Sequence, residues 1–183
     1  GSLKFDGTGD YLRSRNNPDL AFGTGNFTIE AWVYIAGNSS PNAGGNRDAA
    51  VLSSLGSGTL TGYEFKISGD TTTTGIGLTL TTFISGTSYS VFGASTISQS
   101  TWHHIAVVRS GTTTTLYLNG TSIGSGTLGN QTINPIYDLW VGGNDLASYP
   151  HFLNGYIDDL RITKGVARYT SNFTPPTAAF PDL

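Results

Sequence analysis

Two adjacent histidines, His103 and His104, follow a tryptophan in the string TWHHIAVVRSGTTTTLYLNG, residues 101–120. Two imidazoles at one spot would make metal ligands or an acid/base couple. The apolar alternation around them is that of a strand, in which neighbours point to opposite faces. His103 therefore groups with Ile105 and Val107, and His104 with Trp102, Ala106 and Val108, so the two rings cannot grip one ion. Each is expected to be a structural histidine that bonds a nearby turn or lies on the sheet.

Carboxylates are the next candidates. Glycoside cleavage needs two carboxyl groups roughly 5–10 Å apart, and a strand-borne E-x-D-x-x-E would supply them. The chain has only Glu30 and Glu64, in separate segments, so that motif is absent. Asp158 and Asp159 diverge if they are consecutive strand residues: Asp158 shares a face with Leu160 and Ile162, and Asp159 with Ile157 and Arg161. Asp159 and Arg161 would then form a surface ion pair of little energetic weight. Asp158 would be an acid at the core margin, satisfied by the amides of a turn or by calcium. The string GTSIG (120–124) fits G-x-S-x-G, but a nucleophile elbow needs a strand-to-helix turn and no helical pattern follows, so Ser122 is not read as a nucleophile.

The elements that carry these residues are strands. FTIEAWVYI (27–35) alternates strictly, with Phe27, Ile29, Ala31, Val33 and Ile35 on one face and Thr28, Glu30, Trp32 and Tyr34 on the other. The same period recurs at 63–68, 76–82, 102–109, 115–119, 137–142 and 156–163, with shorter pieces near 3–5, 11–13, 50–55 and 88–93. Turn clusters rich in Gly, Asn, Asp and Ser separate them, including 6–10, 37–48, 68–75, 110–115 and 119–126. About ten antiparallel strands without helices call for two sheets packed face to face, an all-β sandwich or jelly roll. The tail NFTPPTAAFPDL (172–183) reads as an extended closing strap.

Composition narrows the partners. Only 11% of the 183 residues are charged and the net charge is −3, against about 25% charged in an average soluble protein, so the surface is neutral and hydroxyl-rich. No basic stripe exists to neutralise phosphates, which argues against nucleic acid, and no apolar run approaches the ~20 residues of a membrane span. With no cysteine there is neither a disulfide nor thiolate chemistry. Residues 1–183 are expected to form one domain. Gly1 and Ser2 read as a cloning remnant, and the lack of methionine as the mark of a segment excised from a larger polypeptide.

Five strings, SLKFDGTGDYL (2–12), FTIEAWVYI (27–35), the His-His segment (101–120), LWVGGND (139–145) and LNGYIDDLRI (153–162), together and in this order resemble the laminin-G-like, concanavalin A-like jelly rolls. The resemblance covers nearly the whole chain, and the ending resembles most the domains of phage tail fibres and bacterial adhesins. It implies two antiparallel sheets of six or seven strands with the first and last strands adjacent, which would let Asp6 approach Asp158. In pentraxin-like relatives the loop after the strand that LWVGGND matches, here GGND (142–145), gives acidic and amide oxygens to calcium. That implies a metal set of Asn144 and Asp145, with Asp6 and Asp158 and backbone carbonyls completing it. The early Asp-Asn ligand pair and the disulfide of pentraxins have no counterpart here. The same loop continues to LASYPHF and brings Trp140, Tyr149 and His151 to a rim suited to stacking on a sugar.

The expected function is a non-catalytic recognition module, extracellular, at a cell surface or on a virion, binding a glycan or another surface molecule through strand-end loops with calcium assisting. It would sit in a larger adhesin or fibre protein, with homo-oligomerisation of the full-length protein left open. The alternative is a purely structural, self-associating fibre domain, and an unusual hydrolase is a distant third.

Overall fold

The computed structural model describes residues 1–56, 61–70, 72–128, 131–135 and 137–180. Among these described residues twelve strands follow one another: β1 (Leu3–Asp6), β2 (Leu12–Ser14), β3 (Phe27–Ile35), β4 (Ala49–Ser53), β5 (Gly62–Gly69), β6 (Thr74–Ile84), β7 (Thr87–Ala94), β8 (Trp102–Ser110), β9 (Thr113–Leu118), β10 (Thr121–Thr127), β11 (Leu139–Val141) and β12 (Asn154–Lys164). One short 3-10 turn, Pro18–Leu20, lies between β2 and β3. The strands form two six-stranded antiparallel sheets, ordered β1-β12-β3-β8-β9-β10 and β2-β11-β4-β5-β6-β7. The sandwich read from the alternation is therefore present, with the first and last strands paired.

Period-two alternation builds the core. Ile29, Ala31, Val33 and Ile35 of β3 and Ile105 and Val107 of β8 meet Phe65 and Ile67 of β5 and Leu78 and Leu80 of β6, all fully buried. The hairpin between β9 and β10 turns on Asn119 and Gly120, both at positive φ (49° and 77°), the backbone that a two-residue hairpin favours. The turn expected over 119–126 is thus only two residues long, and most of that segment is a strand. Its Ser-Gly composition has a tertiary cause. A side chain at Gly124 would strike the carbonyl of Phe92, because β10 closes against β7 of the other sheet.

A β-bulge corrects the reading of Asp158 and Asp159. The β12–β3 register pairs Ile157 with Val33 and Asp158 with Trp32, then slips before resuming at Arg161 opposite Glu30 and Ile162 opposite Ile29. The extra residue, with Asp159 at φ +48°, puts the alternation out of phase. Asp158 consequently faces outward with Trp32, while Leu160 and Ile162 pack on the core. Arg161 does not pair with Asp159; it binds Glu30, Nε to Oε1 at 3.0 Å and Nη2 to Oε1 at 2.7 Å.

The C-terminal strap lies across the outer face of the first sheet. Ala167, Tyr169 and Phe173 pack on Ala106, Val108 and Tyr117, and the rings of Tyr169 and Phe173 stack with centroids 3.5 Å apart. Backbone bonds tie it down: Phe173 N–H donates to Gly120 O at 2.9 Å, and Arg168 N–H to Thr28 Oγ1 at 3.0 Å. Phe180 continues it beneath the Arg161 guanidinium; residues 181–183 of the expected strap, like Thr71 in the turn over 68–75, lie outside the described residues.

Candidate functional site

The two histidines are parted as the strand geometry requires. His103 turns inward at the sandwich end, where Nε2 lies 3.1 Å from Ser98 O and Nδ1 accepts from Asn119 Nδ2 at 3.1 Å. His104 turns outward under the strap, its Nε2 3.3 Å from Glu30 Oε2.

Glu30 is the centre of a closed nest. It is fully buried, receives Arg161, and accepts from Tyr169 Oη at 2.7 Å. Burial pushes its carboxyl up, but the close approach of His104, the bonds from Tyr169 and Arg161 and the Arg161 charge outweigh that and hold it below the ordinary carboxylate range. The strap seals this nest, so it locks structure and faces no ligand.

A second nest opens to solvent on the outer face of the other sheet. Pairing lines up one residue from each strand there: Arg13, Trp140, Ser53, Glu64, Thr81 and Ser90. Glu64 and Lys66 stand outward on β5 because Tyr63, Phe65 and Ile67 fill the core. Two loops fold over them, 37–48 and 142–153. Ala43 N–H donates to Ser148 O at 3.2 Å, and Ala50 N–H to His151 O at 2.8 Å, which join the loops to each other and to β4.

His151 enters between two carboxylates. Its Nδ1 lies 3.0 Å from Glu64 Oε2, and its Nε2 lies 3.6 Å from Asp48 Oδ2 and 3.4 Å from Asn42 Nδ2. Lys66 Nζ pairs with Asp48 Oδ2 at 2.6 Å, while Asp48 Oδ1 accepts from Gly69 N–H at 2.8 Å. Asn144 pins the loop: Nδ2 donates to Glu64 Oε1 at 2.9 Å and to Tyr149 O at 3.2 Å, and Oδ1 accepts from His151 N–H at 3.3 Å. Burial pushes the Glu64 carboxyl up, but His151 as charge and donor, the Lys66 charge and the Asn144 bond hold it lower than usual.

The pocket over this nest encloses about 370 Å³. Tyr149, 51% exposed, and Phe83 offer ring surface, and Asn42, Asn46, Asp48 and Thr81 offer polar atoms. A larger depression of about 410 Å³ lies on the outer face of the first sheet, between Tyr34, Trp102 and Tyr156.

The expected site residues divide among these places. Tyr149 reaches the pocket, with His151 buried at its base. Trp140 is only 7% exposed and lies in a neighbouring groove with Asp145, its ring 4.2 Å from that of Tyr11. The metal set is not gathered. Asp6 pairs with Asn154 in the β1–β12 register, four residues from Asp158, a separation of roughly 13 Å along a strand. Asp6 also accepts from Thr8 N–H in its own turn at 2.8 Å. Asn144 has its oxygen and its nitrogen engaged by protein, and exposed Asp145 points to the other groove. Among the described residues no group of three or more His, Cys, Asp or Glu side chains could hold a metal ion, so the oxygen-rich shell of calcium does not fit these four residues as they stand. The sequence reading missed Asn42, Asp48, Glu64 and Lys66 as partners in one site. The outward alternation of YEFKIS was the available signal for the last two.

Both glutamates, held below their ordinary value of 4.5, contribute stability that is present above that value and lost as pH falls through their lowered ones. The urea midpoint is expected to fall on acidification below about pH 4.5, more shallowly in Glu64→Gln than in the unaltered protein. Equal acid slopes for the two would contradict the linkage.

Two antiparallel six-stranded sheets packed as a jelly-roll sandwich, with a loop-covered pocket on one of them, define the concanavalin A-like class of fold. The chain belongs to the Laminin_G_3 family, described as the concanavalin A-like lectin/glucanases superfamily, whose sequence profile matches residues 6–168. Similar solved structures include a putative carbohydrate binding protein from Bacteroides ovatus, with TM-score 0.64, 18% identity, 91% of this chain and 45% of that one covered. The heptameric SAP-like pentraxin of Limulus polyphemus follows with TM-score 0.62, 15% identity and 91% and 77% covered. The binding domain of botulinum neurotoxin serotype G has TM-score 0.63, 16% identity and 90% and 39% covered. At these identities the likeness is one of fold, and the chain spans under half the length of the Bacteroides protein. No curated protein matches the sequence. Among the described residues, no helix is long and apolar enough to cross a membrane.

Proposed function

We propose that this domain is a non-catalytic recognition module that holds a glycan in the pocket between the 37–48 loop, the 142–153 loop and the outer face of β5 and β6. The observation that carries the reading is the pocket's composition: the open ring of Tyr149 and the ring of Phe83 stand beside the Asn42 amide and the Asp48 and Glu64 carboxylates, which one bonded network holds, and beside the Thr81 hydroxyl. An aromatic face covers the C–H patch of a pyranose while nearby acceptors take its hydroxyls. Carbohydrate binding in the Bacteroides relative's description is in keeping with this.

Catalysis is disfavoured by the state of the acids. A glycosidase acid must stay protonated, with its pKa raised, whereas Glu64 is held low and Asp48 is engaged by Lys66. The parent would be an adhesin or viral fibre protein, acting outside the cell or on a virion.

Tyr149→Ala is expected to weaken glycan binding at least about tenfold, the order of a lost stacking contact, with an unchanged melting temperature because the ring is exposed. Calorimetric titration of the best glycan from an array checks both. Binding is expected to persist in EDTA, and loss of binding on chelation would restore calcium to the site. A second reading, contact with another protein copy or domain, is favoured by the Tyr34–Trp102–Tyr156 depression, where Trp102 is 40% exposed. Light scattering of Trp102→Ala against the unaltered protein separates the two.

A further inference from the structure

We infer that the pocket selects uncharged saccharides and rejects those bearing a carboxylate, an inference that rests on the glycan reading above. Among the described residues, the ionisable side chains that line the pocket with Tyr149 are Asp48, Glu64, Lys66 and His151. Two are acids. Lys66 is already spent on Asp48 at 2.6 Å, and His151 stands between Glu64 at 3.0 Å and Asp48 at 3.6 Å. The sum of charge is zero with a protonated imidazole and −1 with a neutral one, so neither state leaves a surplus cation.

A ligand carboxylate entering here would shed its water without gaining a counter-ion, and would face two carboxylates in a partly desolvated wall. Sugar hydroxyls meet the opposite condition. Each is a donor, and the wall is rich in acceptors: Asp48 and Glu64 keep lone pairs beyond those used by Lys66, Gly69, His151 and Asn144. The acids thus read as hydroxyl acceptors and as an electrostatic filter, with the paired lysine holding Asp48 in place.

Asp48 is the position at which this filter is adjustable. In Asp48→Asn the side-chain oxygen can still accept from Gly69 N–H, while Lys66 loses the carboxylate it is paired with, leaving Glu64 as the one acid against Lys66 and His151, and becomes more available to an anion. The variant should therefore gain affinity for acidic sugars relative to neutral ones.

The test uses the intact domain, with lactose against 3′-sialyllactose and a neutral array against its sialylated and uronic-acid counterparts. The expected result is binding of neutral glycans with acidic counterparts at least about tenfold weaker, a gap that narrows in high salt as screening shortens the repulsion. In Asp48→Asn the acidic-to-neutral ratio should rise severalfold. Acidic glycans bound as well as neutral ones overturn the inference and leave the glycan reading standing. A gap insensitive both to salt and to Asp48→Asn also overturns it, since exclusion would then be steric. Failure to bind any glycan overturns both.

Discussion

Glu30→Ala is expected to destabilise the domain by about 3–5 kcal/mol, the usual cost of removing one partner from a buried ion pair. The carboxylate is fully buried and simultaneously holds Arg161, Tyr169 Oη and His104. Without it, the guanidinium of Arg161, its side chain only 18% exposed, keeps its charge with no counter-ion. At roughly 2–4 °C per kcal/mol for a chain of this size, the melting temperature should fall on the order of 10 °C. The strap should loosen first, because Tyr169 loses its anchor, and limited trypsin digestion should then cut after Arg168 faster than in the unaltered protein. A loss under about 1 kcal/mol, within the range of exposed pairs, would mean that the strap is held by its rings alone.

His151→Ala is expected to abolish saccharide binding and to cost about 2–4 kcal/mol, since it strips a partner from Glu64 at 3.0 Å and opens a void beneath the pocket. His151→Gln should recover part of the stability, because an amide can still donate to Glu64. Titration calorimetry and urea denaturation on both variants separate the effects. Full binding by a well-folded His151→Ala would show that the ligand sits elsewhere, and the Trp102 depression would become the leading candidate.

These two glutamates show what was legible in advance. Their placement on outward faces follows from alternation alone, and the separation of Glu30 from Glu64, with no shared catalytic strand, was readable directly. That each is buried was not, since an outward residue on a sheet is buried only when another segment covers it. For Glu30 the cover is the strap from Val166 to Phe173; for Glu64 it is the pair of loops joined at Ala43 and Ser148. The calcium set failed to assemble for a related reason. Adjacency of the first and last strands was expected and is present, but the register opposes Asp6 to Asn154, four residues short of Asp158.

Period-two alternation and glycine-rich turns sufficed by themselves to determine an all-β sandwich, the inward faces of β3 and β8, and the parting of His103 from His104, because side-chain direction in a strand is a local property of the backbone. Tertiary structure alone decided the bulge that turned Asp158 outward, the burial of both glutamates, and the meeting of Asp48, Glu64, Lys66 and His151 in one pocket. Register, bulges and loop closure depend on contacts between residues tens of positions apart, and no local pattern encodes which distant segment will come to rest on a given face.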